Sequence, residues 1–249
     1  MPNGSLIRSN TRAARRHQPS PSRAGRSPTL PAPIIQPEFP DYTTAEKAVD
    51  AVIHLIGLIG AGIVLGNLLL NLGPDTTRAQ FLALIVYTVG LVGMLSASAL
   101  YNLTPPRARR LKRAFRALDH VMIFVMIAGS YTPITISTLR PSLGVPLCAT
   151  VWVLAALGIG LRLAWRRIYD RVSLVLYLGM GWLVLIVLPP LAVALSGVLL
   201  ALLLLGGVIY SLGTLVHTLA TVRFRNAAWH TMVVVAAALH LVVIVSLLS

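Results

Sequence analysis

With only 11% charged side chains in 249 residues and a mean hydropathy of +0.80, this chain is too apolar for a soluble domain, where about 25% of residues are charged. Its formal net charge of +14 would point a soluble protein toward nucleic acid. Here the cations stand almost entirely outside the apolar runs, so they report membrane topology and nucleic acid is not an expected partner. A single cysteine, Cys148, excludes an intramolecular disulfide and, within an apolar run, reads as packing.

Residues 1–47 are rich in Pro, Ser and Arg, hold no apolar run and read as a disordered basic cytoplasmic tail touching anionic headgroups. Arg15-Arg16 has the form of a twin-Arg signal, but no short apolar region or cleavage site follows. The Arg/Ser bias also fits an organelle transit peptide. From residue 48 to 249 the composition is that of an all-α, polytopic membrane domain, a bundle of seven transmembrane helices. The spans are placed at about 48–70, 80–103, 118–138, 144–165, 171–188, 197–219 and 227–248. Gly73-Pro74, Pro105-Pro106, Pro141 and Pro189-Pro190 punctuate the gaps, and the run from Arg107 to Arg116 is expected to be a solvated, lipid-touching loop.

The tail and the second, fourth and sixth gaps carry nineteen of the 21 Lys and Arg residues, against Arg78 and Arg140 in the first and third. The positive-inside rule then puts the N-terminus in the cytoplasm and the C-terminus outside a cell membrane. This topology assigns depths to the polar residues. Asp50 and His54 of span one, Ser98 and Asn102 of span two, and Asn226 and His230 of span seven form i,i+4 pairs near the inner ends of their helices. Span three opens on Asp119 and His120, and span six closes on His217. His240, about 15 Å beyond His230, falls near mid-membrane. Taken singly, such Ser, Asn and His residues read as interhelical hydrogen-bond partners. As a set at one depth, with a carboxylate costing a few kcal/mol at the edge of hydrocarbon, they read as a site.

Several stretches carry a likeness to known sequences. They are Glu46, Asp50, His54 and Gly57; S-A-L-Y-N at 98–102; L-D-H at 118–120; A-G-S-Y-T-P at 128–133; G-W at 181–182; G-G-V-I-Y-S-L-G at 206–213; and the W-H pair at 229–230. In order and spacing the chain resembles the hemolysin III family, relatives of the adiponectin and progestin receptors, over most of residues 46–245. The resemblance implies a zinc site at the depth of this cluster. Its ligands would be a histidine closing the S-x-x-x-H motif of span two and two histidines at i,i+4 opening span seven. The acid of span three would hold a bound water, with the span-two serine nearby. In relatives this arrangement is associated with hydrolysis of lipid amides. The chain departs from the pattern at Asn102 and Asn226, which replace two of the three ligands, and at Asp50, where Asn is usual. His217 stands where Tyr is usual.

An amide oxygen is a poor zinc ligand beside imidazole. The expectation is therefore a site without cofactor, in which Asn102, Asp119, Asn226 and His230 satisfy one another by hydrogen bonds. Zinc remains the alternative cofactor, in a rearranged site of His54, His217, His230 and Asp119. The expected function is that of a hemolysin III-like membrane protein whose inner-leaflet polar pocket binds a membrane lipid. The first alternative is a membrane-embedded lipid amide or ester hydrolase in which Asp119 and His230 handle protons and Ser98 is the candidate nucleophile. The second is a cytolysin or pore former, disfavoured because no span carries charges along one face. The oligomeric state is not legible in the sequence.

Overall fold

Where the sequence supplies a cap, the helices begin on it. Thr43 and Glu46 form a reciprocal capping box that opens α1 (Thr44–Leu70), and Thr77 and Gln80 do the same for α2 (Arg78–Leu103). Helix α3 (Arg109–Thr138) starts without a side-chain cap, while α4 (Pro141–Ala164) starts on a proline, whose missing N–H costs nothing in a first turn. The computed structural model describes Phe39, residues 42–219 and residues 222–248. Most of the tail, 1–47, therefore lies outside the described residues. Among those described there is no strand, and seven helical segments are long and apolar enough to cross a membrane. The chain is a multi-pass membrane protein.

Two boundaries differ from the sequence expectation. The basic run before Asp119 is mostly helix rather than loop, because α3 begins at Arg109 and Asp119 lies ten residues inside it. Arg, Lys, Leu and Ala are strong helix formers, and the turn is anchored by a lysine that faces inward. The buried Lys112 ammonium donates to the carbonyls of Tyr101 (2.9 Å) and Thr104 (2.7 Å), which α2 leaves unpaired at its C-terminus. It also lies 4.8 Å from the centroid of the Tyr101 ring and 5.7 Å from that of Phe39.

Span five is the second difference. It runs from α5 (Arg166–Trp182) through a 3-10 turn (Leu183–Val187) into α6 (Leu188–Ala194). Pro189 and Pro190 do not mark the gap but occupy the first turn of α6, where a missing N–H is tolerated. The break is healed from α3. The Tyr131 hydroxyl accepts from Val184 N (2.8 Å) and shares its proton between the carbonyls of Met180 (2.9 Å) and Gly181 (3.0 Å). In lipid such backbone groups have no water to turn to, so a side chain must supply the partner. Helices α7 (Gly197–Leu219) and α8 (Arg225–Leu248) complete the bundle.

Packing then fixes which helices meet. Helix α2 lies along α3, α7 along α8, and α1 against both α2 and α8. Small residues set the closest approaches, as expected where van der Waals contact drives association. A Cβ on Gly90 would stand 3.2 Å from Met126 Cα, and one on Gly129 would stand 3.3 Å from the Val86 carbonyl oxygen, so α2 and α3 touch backbone to backbone. On α1, a Cβ at Gly57 would lie 3.1 Å from Val234 of α8 and 3.4 Å from Leu95 of α2. That contact sits one helical turn from His54, and brings three helices together beside the polar cluster.

Candidate functional site

Three helices converge at the end of the bundle that carries the Arg- and Lys-rich connections. Helix α1 brings Asp50 and His54, α2 brings Ser98 and Asn102, and α8 brings Asn226 and His230; all six are buried. Each i,i+4 pair presents one face, and the faces meet. His230 Nδ1 lies 2.5 Å from Asp50 Oδ1, and His230 Nε2 lies 3.2 Å from Ser98 Oγ. Asn226 Nδ2 donates to Asn102 Oδ1 (3.1 Å) and to Asp50 Oδ1 (3.3 Å). It stands 3.4 Å from His230 Nδ1, where two N–H groups converge on one carboxylate oxygen. Asn102 Nδ2 donates to the Ser98 carbonyl (2.9 Å) and lies 3.4 Å from its hydroxyl. His54 Nδ1 donates to the Asp50 carbonyl (2.8 Å), and its ring meets that of His230 edge-on at 4.5 Å between centroids.

The acid at the centre of this network is therefore Asp50 rather than Asp119. Asp119 is partly buried and within hydrogen-bonding reach of Ser98, at the edge of the cluster. His217 lines the same cavity but packs against Trp229, with ring centroids 5.6 Å apart. His120 also lines the cavity, its Nδ1–H donating to the Tyr169 oxygen at 2.9 Å and its carbonyl accepting from Tyr177 at 3.1 Å. The two phenols also bond each other. His240 donates to the Leu203 carbonyl at 3.0 Å, an interhelical bond in the wall of the same cavity.

Ser98, Asn102, Asp119, Asn226 and His230 form the polar end of a cavity of about 410 Å³. Its remaining wall is mostly apolar, with Met126, Ile127, Ile134, Leu203 and Val233 among the residues that line it. Asp50 does not line the cavity and stands behind His230. Tyr42, Tyr169 and Tyr177 also line it, and no sequence signal marked them. Tyr42 precedes the first span; burial pushes its phenol up, with the hydrogen-bonded Arg225 acting in the opposite sense.

The residues present can be compared with what a metal requires. At the three positions where the resemblance implies ligands, Asn102 and Asn226 are bound to each other and only His230 is an imidazole. That set does not fit zinc. A different group, Asp50, His54 and His230, places one ligand atom from each residue within 4.8 Å of the others, and all three are buried. It is compact enough to be considered for a metal, and Asp50 Oδ2 is a buried oxygen without a hydrogen-bond partner. Its geometry is that of a hydrogen bond, however. Ligand atoms at about 2.0–2.1 Å from a tetrahedral zinc stand roughly 3.3 Å apart, whereas Asp50 and His230 close to 2.5 Å.

Comparison with known proteins agrees with the architecture. The profile of the family described as "Haemolysin-III related" matches residues 42–241. "Hemolysin-3 homolog" of Bacillus subtilis is 32% identical over 193 residues, covering 77% of this chain and 89% of that protein. "Hemolysin-3" of Bacillus cereus is 34% identical over 189 residues, covering 76% and 85%. The human "Monocyte to macrophage differentiation factor" is 28% identical over 205 residues, covering 80% and 82%.

Proposed function

Because this chain belongs to the hemolysin III family, we propose that it is a family member whose cytoplasmic-side pocket works without zinc and holds a membrane lipid. The observation that carries this reading is the Asn226 amide. It donates to both Asn102 and Asp50, so two positions that resemble ligand sites are engaged in a network of neutral and charged hydrogen bonds. Such a network ties its amides, imidazole and carboxylate to one another, leaving Asp50 Oδ2 as the oxygen without a hydrogen-bond partner. The cavity supports the second half of the reading. A volume of about 410 Å³ with one polar end and apolar walls suits an acyl chain with a hydrogen-bonding headgroup.

Native mass spectrometry of the full chain released from nanodiscs tests the proposal. The expected spectrum shows a lipid adduct that survives release and weakens when Val233→Trp fills the cavity. Bare protein under the same conditions, from native chain and variant alike, would contradict lipid binding.

A second reading, a metal-dependent lipid amide or ester hydrolase, draws on the compact Asp50–His54–His230 group and the unpartnered Asp50 Oδ2. It requires the 2.5 Å Asp50–His230 contact to open by close to an ångström.

A further inference from the structure

The geometry points to Ser98, His230 and Asp50 as a metal-free nucleophilic triad that cleaves a fatty acyl ester whose chain lies in the cavity. The substrate class rests on the lipid-pocket reading above; the triad itself rests on the contacts of three side chains. Ser98 Oγ is 3.2 Å from His230 Nε2, and His230 Nδ1 is 2.5 Å from Asp50 Oδ1. A hydroxyl, both nitrogens of one imidazole and a carboxylate thus stand in line, each from a different helix. This is the relation that activates a serine: the imidazole takes the hydroxyl proton while the acid holds its tautomer and stabilises the cation that forms. Burial matches the roles, since Ser98 and His230 face the cavity and Asp50 stands behind, shielded from it.

The reaction balances with water as co-reactant. Ser98 Oγ bonds to the ester carbonyl carbon as its proton passes to His230 Nε2. Collapse breaks the bond to the alcohol, which leaves with that proton. Water then attacks the acyl-serine, gives one proton to His230, and the proton returns to Ser98 Oγ as the carboxylic acid departs. Asn102 Nδ2 lies 3.4 Å from Ser98 Oγ, so an amide donor stands beside the attacking oxygen. Asp119 also reaches the Ser98 hydroxyl and is the competing proton acceptor, so the two acids must be told apart.

The test uses the full chain in nanodiscs with an alkyl fluorophosphonate and with a p-nitrophenyl ester of a fatty acid, both in the presence of a chelator. The triad predicts one covalent adduct, on Ser98 by peptide mapping, and ester turnover that Ser98→Ala abolishes at an unchanged Tm. Should Ser98→Ala fail to accumulate, His230→Gln reads the same loss. Asp50, as the positioning residue, is tested by Asp50→Asn, for which kcat falls roughly 10²–10⁴-fold with KM unchanged. Labelling elsewhere, no labelling, loss of turnover on chelation, or an Asp50→Asn variant as fast as the native chain while Asp119→Asn is dead would each overturn the assignment. Lipid retained without Ser98 labelling would sink the triad alone; labelling without a retained lipid would sink the binding reading alone.

Discussion

A buried carboxylate is expensive unless its neighbours supply hydrogen bonds, and Asp50 has two that converge on one oxygen, His230 Nδ1 at 2.5 Å and Asn226 Nδ2 at 3.3 Å. Neutral interhelical bonds in membranes average only about 0.6 kcal/mol, whereas bonds to a charged group contribute about 1.5–3 kcal/mol. The Asp50–His230 contact belongs to the second class. A double-mutant cycle of Asp50→Asn and His230→Gln, read from unfolding in mixed micelles, is expected to give a coupling of about 1.5–3 kcal/mol; additive single effects would show that the pair contributes nothing. The sequence made most of this cluster legible through depth. Helical spacing and the positions of the cations placed Ser98, Asn102, Asn226 and His230 at one level. What it could not supply was the rotation of each helix about its axis. That is why Asp119, read as the acid of the network, lies at its edge, while Asp50, read only as a pocket residue, sits at the centre.

Among the elements, α2 and α3 meet through glycine, and the kind of atom opposite each glycine decides how a substitution behaves. Alanine in a helix is ordinarily favoured over glycine by roughly 0.5–1 kcal/mol. At Gly129 and Gly90 the new methyl would press on backbone, 3.3 Å from Val86 O and 3.2 Å from Met126 Cα. Backbone in a packed helix does not step aside. Gly129→Ala and Gly90→Ala are therefore expected to lower Tm in detergent, while Gly93→Ala, facing the flexible tip of Met122 at 2.5 Å, is expected to be neutral or stabilising. Equal effects at all three would contradict the backbone contact. Tyr131 supports the break in span five from α3. Tyr131→Phe leaves Val184 N without its partner at the break in span five, at an expected cost of about 1–3 kcal/mol, measurable by the same unfolding assay. The break was hidden in the sequence because the segment is uniformly apolar across Trp182–Leu188, and prolines in a first helical turn look the same as prolines in a gap. The helical start of α3 was hidden for the opposite reason: its cations obscured residues of high helix propensity, and a lysine that turns inward onto α2 leaves no mark in composition.

At the scale of the whole molecule, topology organises everything else. Seven spans and a nineteen-to-two partition of cations predict a cytoplasmic N-terminus and an external C-terminus. A periplasmic or extracellular reporter fused after Ser249 is expected to be active and one fused before Met1 silent; the reverse pattern would place the pocket on the wrong side of the membrane. The central claim, that this family scaffold carries its polar pocket without zinc, is tested most directly by elemental analysis of zinc in the detergent-purified chain beside an Asn102→His/Asn226→His double variant. The account predicts zinc far below one per chain in the native protein and close to one per chain in the double variant, whose scaffold would regain two imidazoles beside His230. Zinc near one per chain in the native protein would contradict it, and would assign Asp50, His54 and His230 to a metal instead of to one another.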